Sequence, residues 1–152
     1  MNLQTLIEEK GLKLVSCEPT DFLDEAIDMI VSRKKNAIAV IGPEGKVVGI
    51  LTDHDIMRAV HSQQSSANNI YSQHVFDWMT DGVITAPPDT SISVALNLMG
   101  KHHIRHLVVT DDGKPIAIVS IRDILRKLYD ENALENSILR DIAIAARASV
   151  AA

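Results

Sequence analysis

The sequence predicts an α+β (α/β) fold in which two β-α-β-β-α repeats pack against each other through their small sheets. The main observation is the segment Gly49–Arg58, which has a close copy at Ala117–Arg126, at a constant offset of 68 in the numbering. In both copies an extended segment, an amphipathic helix and two apolar runs precede the motif, and a glycine-containing turn separates the runs. One repeat of roughly 65 residues is too small to bury both faces of its sheet, whereas two packed sheets cover each other.

The composition is that of a folded protein that does not bind nucleic acid nonspecifically. Hydrophobic residues make up 46% of the 152 positions and charged residues 23%, as in ordinary globular domains. The 20 acidic and 15 basic residues give a net charge of −5. This balance argues against nonspecific DNA or RNA binding, which depends on clustered positive charge. The single cysteine, Cys17, excludes an internal disulfide and fits a reducing compartment.

The two ends of the chain favour a cytoplasmic protein without membrane contact. Residues 1–10 contain Glu8 and Glu9 ahead of any apolar run, unlike a signal peptide. The alanine-rich tail from Ile142 to Ala152 contains Arg147 and is too short to cross a bilayer.

We divide the chain into five segments. Residues 1–14 are the segment of a lead-in helix. This helix is predicted to end at Gly11, since glycine is a common C-cap residue. Residues 15–62 are the first repeat, 63–78 the linker and the start of the second repeat, 79–129 the second repeat, and 130–152 an amphipathic C-terminal helix and tail.

The first repeat begins with an extended segment before Pro19, because a residue that precedes proline is biased towards the β region. Thr20 or Asp21 then caps a helix whose apolar residues have helical spacing. The remaining elements are a buried strand at Ala37–Ile41, a turn at Gly42–Gly45, a partner strand at Lys46–Leu51, and a helix that Thr52 opens and that runs to about His61.

The second repeat follows a polar segment, His61–Asn69, that we interpret as a linker. Pro19 and Pro87 are related by the same offset as the two motifs, and so are Gly45 and Gly113. The predicted elements are an extended segment at Val83–Pro87, a helix at Ser91–Lys101, a buried strand at His106–Thr110, a turn at Asp111–Gly113, a partner strand at Pro115–Val119, and a helix from Ser120. Beyond it, Leu134, Ile138, Leu139 and Ile142 form a stripe that needs a partner surface, either these halves or a second subunit.

The duplicated Ser/Thr-x-x-Asp motif has two interpretations. At a strand-to-helix junction it resembles a capping box, in which hydroxyl and carboxylate satisfy the amides of the first turn. The same atoms could instead bind a ligand, because a helix N-terminus attracts phosphate and a carboxylate can accept the hydroxyls of a ribose. The edge of a nearby apolar strand could hold a purine. Gly49, three residues before Thr52, favours a ligand that approaches the backbone closely. The motif alone does not decide between the two.

From about Val15 to Tyr129 the chain resembles a tandem pair of CBS domains, the modules named after cystathionine beta-synthase. The residues that carry the resemblance are Gly49–Asp55 and the copy that ends Ser120–Asp123, supported by Met79–Thr80, Val83–Thr85, His103–Val109 and Asp111–Gly113. The segment Glu135–Ile142 also resembles the C-terminal helix of small stand-alone bacterial CBS proteins.

The resemblance implies a pseudo-twofold pair of repeats with two clefts between the halves. These clefts would hold adenosine-containing ligands: AMP, ADP, ATP, NAD or S-adenosylmethionine. By position, Thr52 and Ser120 would contact phosphate, and Asp55 and Asp123 the ribose. Arg105 would be the phosphate cation, assisted by Arg122, since a guanidinium suits phosphate oxygens. The residues expected to enclose the base are Ile50, Leu51, Ile84, Ile118 and Val119.

The second copy departs from the family pattern at two positions. Ala117 replaces glycine, and Val108 stands where the family's strand often has proline. A methyl group at position 117 could crowd a ligand, yet the second half contains both arginines. We therefore expect the cleft at Ser120 to be the better phosphate site and the cleft at Thr52 to have the cleaner motif.

Other candidate sites are less well supported. His102, His103 and His106 invite a metal interpretation, but His106 belongs to a predicted strand and no acidic residue or cysteine completes a ligand set, so we expect no metal. Cys17 is expected to be a small buried residue. The acidic run Asp21, Asp24, Glu25 and Asp28 fits a solvated helix face.

The expected function is therefore that of a ligand-sensing regulatory module. No phosphate-loop, dinucleotide or nucleophile-elbow motif is present, so we expect no catalysis and no catalytic cofactor. The module would form a homodimer and pass its state to an unidentified protein partner. The alternative is a structural interaction module whose clefts stay empty.

Overall fold

The computed structural model describes residues 1–63 and 69–151. Positions 64–68 of the predicted polar linker lie outside these ranges.

Each half has the predicted β-α-β-β-α order. The first half contains β1 (Ser16–Cys17), α2 (Leu23–Ser32), β2 (Ala37–Ile41), β3 (Val47–Thr52) and α3 (Asp53–Ser62). The second contains β4 (Thr85–Ala86), α5 (Ile92–His102), β5 (His106–Asp111), β6 (Lys114–Ser120) and α6 (Ile121–Ala151). Two further helices, α1 (Leu3–Lys10) and α4 (Val75–Trp78), precede the halves. As predicted, Gly11 ends α1 in the left-handed conformation, with φ 58°.

The halves form two separate three-stranded sheets with the same topology. In the first sheet β1 lies parallel to β2, and β2 lies antiparallel to β3. In the second sheet β4, β5 and β6 repeat this arrangement. Both β3 and β6 are therefore edge strands, and each runs directly into a helix.

The register corrects the predicted alignment of the repeats. Thr52 pairs with Ala37, and Ser120 pairs with His106. Thr52 and Ser120 are related by an offset of 68 in the numbering, whereas Ala37 and His106 are related by an offset of 69. The hairpin between β5 and β6 is correspondingly shorter by a single residue, because Ile41 pairs with Val47 but Thr110 with Pro115. Positions before the hairpin thus correspond at an offset of 69 and positions after it at 68.

Alternation along the strands directs side chains into three clusters. Leu51 of β3 and Val119 of β6 are fully buried, and each packs in the helix-side core of its own half. Their neighbours Ile50 and Ile118 point to the opposite face. There they join Ala37, Val83 and Val108 in a cluster between the two sheets. The contact of the halves is thus small and apolar, as the predicted sheet-to-sheet packing requires.

Each half is completed by the segment that precedes the other half. Leu3 and Leu6 of α1 are fully buried in the core of the second half, and Leu3 N donates to Thr90 O. In the same way, Val75 of α4 is buried in the core of the first half, and its N–H donates to Asp21 O. The halves are therefore bound to each other by exchanged segments as well as by their sheets.

The start of α2 differs from the prediction. Its N-cap is Phe22, which makes no side-chain capping hydrogen bond. Asp21 Oδ2 instead accepts a hydrogen bond of 2.8 Å from Glu18 N, and so stabilises the turn before the helix. Asp24 and Glu25, in the first turn, supply the negative charge that a helix N-terminus favours.

The last helix is longer than the second repeat requires. α6 has 31 residues and runs without a break across position 130, where the sequence suggests a separate C-terminal helix. Residues 129–150 are exposed, including the predicted stripe of Leu134, Ile138, Leu139 and Ile142. In the described residues no helix has the length and hydropathy that crossing a membrane requires.

Cys17 of β1 is buried, as the sequence suggests. Burial, with a smaller contribution from Asp21, raises the pKa of its thiol from 9.0 to about 12. A thiol in this state is unreactive at neutral pH, because the thiolate is the nucleophile.

Candidate functional site

Both copies of the repeated motif form helix caps. Thr52 is the N-cap of α3, and its Oγ1 accepts a hydrogen bond from Asp55 N at 3.3 Å. In return, Asp55 Oδ2 accepts from Thr52 N at 2.9 Å, which completes a capping box. At α6, Asp123 N donates to Ser120 Oγ at 3.1 Å, and Ser120 N donates to Asp123 Oδ2 at 3.0 Å. The capping interpretation of the motif is therefore correct in both halves.

The second carboxylate oxygen distinguishes the two copies. Asp55 Oδ1 accepts hydrogen bonds from Arg58 Nη2 at 3.0 Å and from Thr80 Oγ1 at 3.1 Å, and Asp55 is only 3% exposed. Asp123 is half-buried, and in the described part of the chain its Oδ1 accepts no hydrogen bond. Asp123 thus keeps an acceptor for a ligand, whereas the carboxylate of Asp55 is fully used within the protein.

The edges of β3 and β6 also differ, because only the edge of β3 is covered by another segment of the described chain. Ile50 of β3 exchanges two backbone hydrogen bonds of 2.9 Å with Thr80, which covers this edge. Among the described residues no isolated bridge of this kind forms at Ile118, the corresponding position of β6. The edge of β6 therefore leaves room for a molecule that pairs with backbone groups.

Gly49 is explained by this covering segment. A Cβ at position 49 would lie 2.6 Å from Met79 Sδ and 3.2 Å from Thr80 O. The close approach that requires glycine is made by the protein's own chain. Ala117, at the corresponding position of β6, is fully buried, and its methyl group fits.

A cavity of about 210 Å³, which we call the Ser120 cleft, opens between the two halves. The second half contributes the motif residues and the first half the loop before β2. Its lining residues are Leu12, Lys13, Val15, Lys34, Lys35, Asn36, Ala37, His106, Ile118, Ser120, Arg122 and Asp123.

The pseudosymmetric cavity, which we call the Thr52 cleft, has a volume of about 180 Å³. It is lined by Ile50, Thr52, Asp53, His54, Thr80, Ile104, Arg105 and His106. Asp55 is not among these residues. A third cavity of about 180 Å³ lies between the clefts and has Asn36, His106, Ser120 and Arg122 in common with the Ser120 cleft.

Several predicted site residues lie elsewhere. The side chains of Leu51 and Val119 point into the helix-side cores, so only their backbones could meet a ligand. Ile84 packs against the core of the second half. Arg105 lines the Thr52 cleft and the third cavity, not the Ser120 cleft with which the sequence groups it.

The residues of the first half that line the Ser120 cleft were missed by sequence reasoning. Lys34, Lys35 and Val15 belong to loops that only the packing of the two halves brings near Ser120. The adjacent basic pair in Lys34-Lys35-Asn36 was the one available signal.

His106 lies where the cavities meet. Burial lowers its pKa from the ordinary value of 6.5; nearby Asp53 and Asp123 oppose this shift, and Arg105 adds to it. His106 is therefore neutral at pH 7 and can act as either donor or acceptor.

The lowered pKa of His106 predicts a pH dependence of stability. As the pH falls below 6.5, His106 binds a proton more readily in the unfolded chain than in the folded chain, where its pKa is lower. Protonation therefore favours the unfolded chain, and the free energy of unfolding should decrease as the pH falls. The additional slope should reach at most about 1.4 kcal/mol per pH unit and be absent in His106→Gln. Urea unfolding between pH 7.5 and 5 measures it, with His61→Gln, at an exposed site, as the control. Equal slopes for wild type and His106→Gln would contradict the prediction.

Within residues 1–63 and 69–151, no three His, Cys, Asp or Glu side chains are grouped so that they could hold a metal ion.

Comparison with known proteins identifies the repeat. The profile of the CBS domain matches residues 10–62 and again residues 75–130. An uncharacterised protein of Methanocaldococcus jannaschii is 37% identical over 113 residues, which are 74% of this chain and 26% of that protein. The chain thus spans about a quarter of that relative's length.

Solved structures have the same fold. A crystal structure described as the CBS domain NE2398 superposes with a TM-score of 0.77 at 27% identity, covering 85% of this chain and 98% of that one. A crystal structure of CBSX2 in complex with AMP superposes with a TM-score of 0.66 at 26% identity, covering 78% and 90%. The chain belongs to the CBS domain family, as a tandem pair of these domains.

Proposed function

We propose that this protein is a non-catalytic regulatory module that binds an adenosine-containing nucleotide in the Ser120 cleft. One observation carries the proposal: the cleft combines the free Oδ1 of Asp123, an uncovered strand edge at Ile118 and the N-terminus of α6. Its CBS pair is a regulatory type of module, and CBSX2, which has the same fold, was crystallised with AMP. AMP, ADP, ATP, NAD and S-adenosylmethionine all contain the adenosine that these groups suit.

Each part of the nucleotide has a matching group. The base lies between Val15 and Ile118 and pairs with the backbone of β6. Asp123 accepts a ribose hydroxyl. The phosphate binds at the N-terminus of α6, where Ser120 and Arg122 add a hydroxyl and a positive charge.

Binding alters the relation between the halves. Val15 and Asn36 belong to the first half, and Ser120 and Asp123 to the second, yet all four line one cleft. A ligand held by both sides favours the arrangement in which they are close, to the extent of its differential affinity. A protein partner that distinguishes the two arrangements then receives the signal.

The exposed apolar face of α6 favours a homodimer, with Leu134, Ile138 and Ile142 covered by a second copy. A single buried thiol fits a reducing cytoplasm.

The alternative is a structural interaction module with empty clefts. The complete caps at Thr52 and Ser120 favour it, because each motif has a structural role without any ligand.

Calorimetric titration with AMP, ADP, ATP, NAD and S-adenosylmethionine separates the two functions. We expect binding of at least one of these with one molecule per chain, because Asp55 and the covered edge of β3 leave the Thr52 cleft incomplete. Native mass spectrometry of the purified protein identifies any nucleotide that it retains. No binding of any of the five would support the structural alternative.

A further inference from the structure

The two clefts differ most in charge, and their pseudosymmetry allows a comparison position by position. Because positions before the hairpin correspond at an offset of 69, Lys34 corresponds to His103 and Lys35 to Ile104. The backbone confirms this alignment, since Lys34 has φ 52° and His103 has φ 53°, both left-handed. After the hairpin the offset is 68, so Arg122 corresponds to His54.

The Ser120 cleft has the more basic residue at each of these three positions, whereas at the next position the order is reversed, since Asn36 corresponds to Arg105 of the Thr52 cleft. Lys34, Lys35 and Arg122 line it, and Lys13 adds a fourth positive charge. Asp123 is the one acidic residue among the lining residues, so the formal excess is three positive charges. In the Thr52 cleft, Asp53 balances Arg105.

The four cations are available to a ligand. In the part of the chain that the structure describes, the ion pairs join Arg58 to Asp55 and Lys127 to Glu9 and Glu131. None involves a cation of the Ser120 cleft. Like charges held close together repel each other, and a polyanion that neutralises them removes this repulsion.

A single phosphate does not use all of this charge. In the proposed nucleotide function, on which the following inference rests, the phosphate next to the ribose is bound by Ser120, Arg122 and the first turn of α6. Lys34 and Lys35 lie across the cleft, on the loop before β2, and remain for additional phosphates. We infer that the Ser120 cleft selects nucleoside polyphosphates over nucleoside monophosphates and over the cationic S-adenosylmethionine.

A phosphate series tests this selectivity. Adenosine, AMP, ADP and ATP should bind with increasing affinity, with ATP at least about tenfold tighter than AMP, since one charge-assisted hydrogen bond contributes about 1.5–3 kcal/mol, or roughly tenfold to 150-fold. The double variant Lys34→Asn/Lys35→Gln should weaken ATP about tenfold or more and change AMP less than about threefold. Asparagine suits the left-handed backbone at position 34, so the fold should be retained.

Lys46→Gln, in the turn between β2 and β3, is the matched control and should leave the whole series unchanged. Raising the salt concentration should weaken ATP more than AMP, because exposed charges are screened. Equal affinities for AMP and ATP, or a double variant that binds ATP like wild type, would overturn the selectivity and leave the proposed function intact. Absence of binding by the entire series, and by NAD and S-adenosylmethionine as well, would overturn the proposed function itself.

Discussion

Asp123→Ala should weaken nucleotide binding by roughly tenfold to 150-fold while the protein remains folded. Asp123 lines the Ser120 cleft, and its free Oδ1 is the proposed acceptor of a ribose hydroxyl. A hydrogen bond to a charged group contributes about 1.5–3 kcal/mol, which sets the expected loss. The substitution also removes half of the cap on α6, at a cost of about 1 kcal/mol in the free energy of unfolding. Calorimetric titration measures the first effect and urea unfolding the second.

Two further variants make this prediction specific. Asp111→Ala, at the exposed end of β5, removes the same charge outside the cleft and should leave affinity unchanged. Asp123→Asn keeps the size of the side chain and should still bind more weakly than wild type, because the ribose then meets a neutral acceptor. If Asp123→Ala bound nucleotide as tightly as wild type, the carboxylate would have only its capping role.

The equivalent substitution in the first half, Asp55→Ala, should act on stability. The carboxylate of Asp55 accepts hydrogen bonds from Thr52 N and Oγ1, Arg58 and Thr80. Its removal leaves the amide and hydroxyl of half-buried Thr52 without an acceptor, each at a cost of about 1–3 kcal/mol, whereas the hydroxyl of Thr80, an exposed residue, can turn to water. Since the side chain of Arg58 is 50% exposed, its guanidinium can return to water, and this part of the cost is small. We expect a total loss of about 2–4 kcal/mol in the free energy of unfolding.

Urea unfolding of Asp55→Ala beside Asp123→Ala provides the matched comparison, because both residues occupy the same position of the repeat. We expect the larger loss of stability in Asp55→Ala and the larger loss of affinity in Asp123→Ala. Thr80→Val, which removes one of the four donors, should fall between wild type and Asp55→Ala in stability. Similar stabilities of the two aspartate variants would show that the internal hydrogen bonds of Asp55 contribute little.

The fold could be predicted because the sequence patterns that determine it are local and occur in both repeats. The two copies of the motif, the apolar runs around glycine turns and the helical spacing all depend on neighbouring residues, so the β-α-β-β-α order follows from them. The caps at Thr52 and Ser120 are equally local, because in each the hydroxyl and the carboxylate lie within a single turn of helix. The constant offset between the repeats, in contrast, holds only after the hairpin. The sequence pattern did not reveal this change, because a single inserted residue in a turn leaves each separate element unchanged.

The candidate site could be predicted only in part. Ser120, Asp123, Ile118 and Arg122 follow from the motif and line the Ser120 cleft. Lys34 and Lys35 do not follow from it, since they are far away in sequence and reach the cleft only through the packing of the two sheets.

The sequence by itself determined the repeat, the order of elements and the positions of the two motifs. Only the tertiary structure decided which motif keeps a free carboxylate. The pattern treats Asp55 and Asp123 alike, but the segment Met79–Thr80 lies across β3 and takes up the carboxylate of Asp55. The physical reason is that a carboxylate oxygen is free or occupied according to which donors surround it in space. Thr80, a donor to Asp55, is 25 residues away along the chain, so the local motif does not reveal it.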